Sequence, residues 1–248
     1  RNFLSANILA AVSFLLLYAI QTLQPIMAES LMGYTAYVAG VAQAPRGLGM
    51  LIGTPLTGYL TGKVSNRILI GPGMALIAMA SLMMGNFSLA ISSHEFFWPN
   101  FVQGFGMSLT MVPLMTVAVA TIRNEQMGNA TGLFALVRNL AGSIGIAVSV
   151  AMVTRGALRH QAYLAGHLTP YDLPYQNAVQ MGQAALTPAM GAQAGPGTLG
   201  VIYQSLLLHS NMFAFVDEYR WLAWICFLSV PLVLLFKKAQ SGKEVMMH

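Results

Sequence analysis

The sequence predicts an all-α membrane protein built from six transmembrane helices, and three observations carry that expectation. Of its 248 residues 56% are hydrophobic and 8% charged, with a mean hydropathy of +0.64. A soluble domain carries about 25% charged residues, so lipid has to solvate much of this surface. The apolar residues fall into six runs of about twenty, the length that crosses a bilayer as a helix. Most basic residues fall between those runs and are denser on one side of the implied membrane, as the positive-inside rule requires.

The first run, Asn7–Ala28, ends among Gln21, Gln24, Pro25 and Glu29. The second, Ala36–Leu60, carries Gln43 and Arg46 with Pro45 and Pro55. The third is Ile68–Ala90, with Pro72, and the fourth is Trp98–Ile122, with Gln103 and Pro113. The fifth, Gly132–Thr154, holds Arg138 and Asn139. The last, Met212–Phe236, opens on Asp217 and Glu218 and contains Pro231. Proline and glycine are tolerated inside such runs because neighbouring helices re-satisfy the freed backbone groups.

This divides the chain into helices one to five over 1–154, a long non-cytoplasmic loop over 155–210, and the last helix with a cytoplasmic tail over 211–248. The loop is too long for a simple hairpin. It is partly amphipathic: between Thr198 and His209, residues Leu199, Ile202, Leu206 and Leu207 share one helical face. A cap over the bundle and a mobile linker both fit it.

Six spans put both termini on one side. Arg1, Lys63, Arg67, Arg123, Lys237, Lys238 and Lys243 fall there, against Arg155 and Arg159 opposite, with Arg220 near the boundary. Both termini are therefore expected in the cytoplasm. Trp98, Trp221 and Trp224 suit interfacial belts or packing between helices.

Several function classes drop out. The calculated pI of 9.5 does not point to nucleic acid, because the basic residues are not clustered on an aromatic-bearing soluble domain. Cys226 is the single cysteine and lies in an apolar run, which excludes an internal disulfide and a cysteine metal cluster. The histidines at 94, 160, 167, 209 and 248 are scattered over loops and the tail, so no metal site and no cofactor are expected. HExxH, P-loop and dinucleotide fingerprints are missing. The sequence around Ser143 has Ala141 where a nucleophile elbow needs glycine. The sequons at Asn86 and Asn129 fall in a span and on the cytoplasmic side, and are set aside. The chain opens on Arg1 without a signal-peptide pattern.

The informative residues are the charges inside the runs. An arginine at a helix centre costs about 2.5–3.5 kcal/mol on insertion scales, so its default reading is functional. Arg46 and Arg138 qualify; the bland reading is a guanidinium tied to carbonyls or snorkelling to the interface. On a helical wheel Gly128, Gly132, Ala135, Asn139, Gly142 and Ile146 gather on one side, with Thr131, Arg138, Gly145 and Ser149 along its edge. Leu133, Leu136, Val137, Leu140, Ile144 and Val148 form the opposite half. Arg138 therefore faces protein or water, on a small-residue stripe that suits close helix packing. Among the acids, Glu29 and Asp217 are candidates, since a partly desolvated carboxylate can carry a proton near neutral pH. Glu218 is read as a hydrated interfacial charge.

Three stretches resemble the fourteen-span drug:proton antiporters of the major facilitator superfamily. They are GYTAYVAGVAQAPRGLGMLIGTPLTGYLTGKVSNR, FVQGFGMSLTMVPLMTVAVATI and GNATGLFALVRNLAGSIGIAVS. The similarity runs over nearly the whole chain and implies a six-helix bundle of the major facilitator type, the C-terminal half. Gly58 to Arg67 resembles a degenerate second copy of the superfamily's cytoplasmic loop motif. Gly58, Lys63 and Arg67 are kept in it, and Gly62 stands in place of the usual acid. Pro25 is followed by Glu29 where the family commonly has glutamine, and Asp217 takes the recurrent acidic position of the closing helix.

The resemblance implies a proton-driven multidrug efflux transporter of the bacterial inner membrane, exporting amphipathic toxic compounds. Its implied partners are the lipid bilayer, a small drug-like substrate, protons and the N-terminal half that carries the family's coupling motifs. A periplasmic adaptor protein is compatible with it. Glu29, Gln43, Arg46, Gln103, Arg138, Asn139 and Asp217 are the expected cavity or coupling residues. One half cannot alternate access alone, so the chain is expected to be part of a longer protein or to work with a partner half. The rival reading is a non-transporting half-bundle serving as a membrane scaffold or regulatory subunit.

Overall fold

The computed structural model describes residues 2–61, 63–119 and 127–234, with side chains for 10–61, 63–66, 68–116, 128–129 and 131–231. Arg1, Gly62, Arg123, Lys237, Lys238 and Lys243 lie outside the described residues. The helices are α1 (Asn2–Ser30), α2 (Ala36–Leu60), α3 (Asn66–Met84), α4 (Phe97–Val119), α5 (Met127–Ala165), α6 (Leu173–Met190) and α7 (Ala194–Leu234). Among the described residues Ala10–Ser30, Thr131–Ala165 and Leu173–Pro231 contain stretches long and apolar enough to cross a membrane. The architecture is a six-helix transmembrane bundle, α1 to α5 and α7, with α6 added at one end.

Short connections join α1 to α4 in turn, and α3 and α4 pack side by side, whereas α2 packs on α4 rather than on α3. α1 ends in a Schellman-type turn: Gly33 takes the left-handed φ of 66°, and the Tyr34 N–H reaches back to the Ala28 carbonyl at 3.1 Å. Thr35 then caps α2, its hydroxyl accepting from the Val38 N–H at 3.4 Å. At the other end of the bundle Lys63 lies in the tight turn to α3, its Nζ 3.3 Å above the Tyr59 ring.

The packing order is α2 on α4, α4 on α3, α3 on α7, α7 on α5 and α5 on α1. Water cannot drive helices together inside lipid, so small residues that let backbones approach have to do it. Gly49 and Gly53, one GxxxG spacing on α2, meet the Phe101 carbonyl and the Ser108 side chain of α4. Gly104 of α4 sits directly on the Arg46 backbone, and Gly145 of α5 sits on the Leu15 carbonyl of α1. Buried Leu16, Leu17, Ile20, Leu23 and Met27 of α1 fill the centre with Met74 and Ile77 of α3 and Leu222 of α7.

α5 and α7 are far longer than a bilayer requires. The fifth apolar run ends at Thr154, but good helix formers carry α5 on to Ala165. α7 is continuous over 41 residues, about 60 Å at 1.5 Å per residue and about twice the hydrocarbon thickness. Residues 155–210 are therefore mostly helical: the end of α5, the turn before α6, α6 itself, and the first turns of α7 packed against it. In that turn Asp172 accepts from the Thr169 hydroxyl at 2.7 Å and the Thr169 N–H at 3.2 Å, which holds its carboxyl below the usual carboxylate range.

Large apolar side chains remain exposed on several helices, and α2 and α5 each carry a row of them. They are Val41, Leu48, Leu51, Ile52 and Leu56 on α2, and Leu133, Leu136, Leu140, Ile144 and Val148 on α5. Patches of this size need lipid or another apolar surface. The close approach of α2 and α4 makes a direct prediction. Gly104→Val forces a side chain into the Arg46 backbone and should destabilise the bundle by at least about 1–3 kcal/mol, the usual range for overpacking. Gly58→Ala, with open space around it, should leave thermal unfolding in detergent unchanged; equal melting of both variants would contradict the packing.

Candidate functional site

Arg46 lies on the buried face of α2 with Ala42, Gly49 and Gly53, and is 8% exposed. Its Nη2 donates to Gln24 Oε1 of α1 at 2.5 Å and to Asn100 Oδ1 of α4 at 3.0 Å. Asn100 is fixed in turn, because its Nδ2 donates to the Ala42 carbonyl at 3.2 Å and the Phe96 carbonyl at 2.8 Å. Two donors used on one side leave only the oxygen to face Arg46, so the amide orientation is determined by its network. Tyr219 of α7 is fully buried. Three helices, α1, α2 and α4, thus meet at one guanidinium.

No carboxylate answers that charge: the only ion pair among the described residues is His160–Asp217, elsewhere. Arg46 is held by neutral amide oxygens alone. Around it Arg46 Nε, Gln24 Nε2, both amide ends of Gln103 and the Tyr219 hydroxyl are buried without a hydrogen-bond partner. Native proteins leave few such atoms, and here they share one polar interior with one positive charge. Donors dominate the set, so it suits a group that brings acceptor oxygens or negative charge from outside the bundle. It contains no nucleophile–base pair and, among the described residues, no cluster able to hold a metal.

The other expected residues are spread out. Gln103 is fully buried one turn after Asn100. Gln43 is half-buried and bonds its own helix at the Ala39 carbonyl, 3.3 Å away. Arg138 is half-buried in line with Phe134, Ala141, Gly145 and Ser149, with its Nε buried and unpartnered, while Asn139 beside it is exposed. Glu29 is exposed at the end of α1. Gly58 is exposed with nothing near its Cα side, and Arg67 starts α3 with its side chain outside those described. The structure brings Arg46 and Gln103 into one interior and leaves Arg138, Glu29 and the loop residues apart from it.

The acids at the start of the last run differ from expectation. Asp217, its side chain 50% exposed, pairs with His160 Nε2 at 2.8 Å. Glu218, expected to be hydrated, is 3% exposed and meets Ser149 of α5. Adjacent residues on a helix point about 100° apart, and α7 is covered by α5 on the Glu218 side. Sequence reasoning also passed over Gln24 as a ligand and Asn100 altogether. A signal for Asn100 existed: a polar amide at the start of an apolar run, four residues before Gly104 on the same helix face.

The fold and this interior define a polytopic membrane bundle with a buried, unpaired cation. Residues 1–146 match the Major Facilitator Superfamily, and the chain belongs to that superfamily of membrane transporters. It is 27% identical over 207 residues to the "Fatty acid resistance protein FarB" of Neisseria gonorrhoeae, 83% of this chain and 39% of that protein. It is 27% identical to the "Multidrug export protein EmrB" of Haemophilus influenzae, over 98% of this chain and 47% of that one. To the protein of the same name in Escherichia coli K12 it is 26% identical, over 98% and 46%. The chain spans about half the length of the two EmrB proteins it matches.

If Asn100 anchors Arg46, Asn100→Leu should destabilise the bundle by about 1–3 kcal/mol, the penalty for stripping a buried group of its partner. Gln43→Leu should change it little. Chemical unfolding of the two variants side by side is the check; equal stability would mean that the amide does not anchor the guanidinium.

Proposed function

We propose that this chain is the C-terminal bundle of a proton-driven exporter of amphipathic toxic compounds in a bacterial inner membrane. Both of its ends face the cytoplasm, and it works with an N-terminal half. Membership of the superfamily supports the transport reading, and the names of the relatives support export of toxic compounds. The observation that carries the reading is Arg46. A membrane bundle retains an uncompensated buried charge where substrates or ions pass, because elsewhere it is only a penalty. Transporters built from related halves place their sites near the midplane, between the halves. The exposed apolar faces of α2 and α5 support a second half and lipid as neighbours. The projecting end made by α5, α6 and α7 is the surface suited to a periplasmic adaptor.

The test uses the full-length transporter that contains this bundle, reconstituted in vesicles, with ethidium as an amphipathic probe and an imposed proton gradient. Arg46→Gln and Arg138→Leu should each lower gradient-driven export at least about tenfold, equivalent to about 1.4 kcal/mol, while membrane insertion is unchanged. Wild-type export by both variants would remove the proposed role of these charges. Absence of gradient-driven export in the wild type, across a panel of amphipathic probes, would favour a scaffold.

A further inference from the structure

Asp217 and Glu218 are neighbours in sequence with opposite surroundings. The Asp217 side chain reaches the surface and has a partner in His160, whose ring also lies 5.7 Å from Phe213. Glu218 points into the bundle among Ala214, Phe215 and Leu222 of its own helix, all buried. From α5 the group that meets its carboxyl is the hydroxyl of Ser149, itself buried.

Among the described residues no ion pair compensates it. α7 packs against α1, α3, α5 and α6. The titratable groups described on those elements are Tyr18 and Glu29 of α1, Asp172 and Tyr175 at the start of α6, and Arg138, Arg155, Arg159, His160 and Tyr163 of α5; on α3 the side chain of Arg67 lies outside those described. On α7 itself the nearest are Asp217, Tyr219 and Arg220. None forms an ion pair with Glu218, and Arg220 is turned outward to Asn86 Oδ1 at 3.5 Å. A carboxylate with one hydroxyl, no cation and almost no water is strongly disfavoured against the neutral acid.

We infer that Glu218 is a proton-binding site of this bundle, carried as a neutral carboxylic acid that shares a hydrogen bond with Ser149. The acid releases its proton to water, leaving a carboxylate, only in a conformation that separates α7 from α5 and wets the site. Asp217 instead reaches the surface and contacts His160 at 2.8 Å, so the two acids divide the work: one holds His160 and the other holds a proton. Use of that proton in coupling rests on the export reading; its presence on Glu218 does not.

Isotope-edited infrared spectroscopy tests this on the chain in phosphatidylcholine vesicles at neutral pH, with the label in the glutamate side chains. The wild type should show a protonated-carboxyl band that Asp217→Asn keeps and Glu218→Gln abolishes. Ser149→Ala should keep the band and shift it toward the position of a carbonyl without a hydrogen bond. Glu218→Gln mimics the neutral acid in shape, so helical content should match the wild type. A wild-type spectrum with carboxylate bands alone, or a band that survives Glu218→Gln, overturns the inference. Neither result depends on export, so a failed transport assay and a failed protonation assay are told apart.

Discussion

Everything in the bundle's interior follows from how closely α2 and α4 approach. Gly49, Gly53 and Gly104 leave no side-chain layer between the two backbones, so Arg46, on the same face of α2, is buried where the helices meet. Arginine does not lose its proton in proteins, so the charge persists and the surroundings have to adapt. They do so with amide oxygens: Gln24 from α1 and Asn100 from α4 accept from the guanidinium, and Asn100 is itself pinned by two backbone carbonyls. Hydrogen bonds to a charged group are stronger than neutral ones, yet neutral acceptors do not cancel a charge. The interaction links α1, α2 and α4 and leaves the interior electrostatically incomplete.

That incompleteness matches the outside of the molecule. α2 presents an apolar face away from the core, as does α5, and the chain spans about half the length of the EmrB relatives it matches. An uncompensated cation inside and exposed apolar faces outside are the two features that the proposed role as one half of an exporter would account for. The long α5 and α7 extend at one end, where His160 of α5 and Asp217 of α7 make a part-exposed contact at 2.8 Å.

Much of this was legible in the sequence. The second helix runs over the same residues as the second apolar run, since Thr35 and Gly33 mark its start chemically. Arg46 stood out because a charge in an apolar run has one default meaning. The wheel of α5 separated Leu133, Leu136, Leu140, Ile144 and Val148, which the structure exposes, from a small-residue side of which Gly142, Gly145 and Ser149 are buried while Gly128 and Gly132 are exposed. Hydropathy could not follow helices past the membrane, so the ends of α5 and α7 read as a connection although their helix propensity is high. Periodicity also says which residues share a face and not which helix covers it. That is why Asn139 was grouped with the buried stripe, and why Glu218 was read as hydrated beside Asp217.

If the Arg46 network is kept for transport rather than for folding, the whole of it should be replaceable by apolar residues without loss of stability. Buried charge networks exchanged for well-packed apolar residues are often neutral or stabilising by about 1–4 kcal/mol. The decisive measurement is the unfolding stability of the triple variant Gln24→Leu, Arg46→Met, Asn100→Leu. The account predicts stability equal to or above the wild type, together with loss of gradient-driven export by the full-length transporter. A bundle that falls apart without the network, or one that still exports, would contradict it.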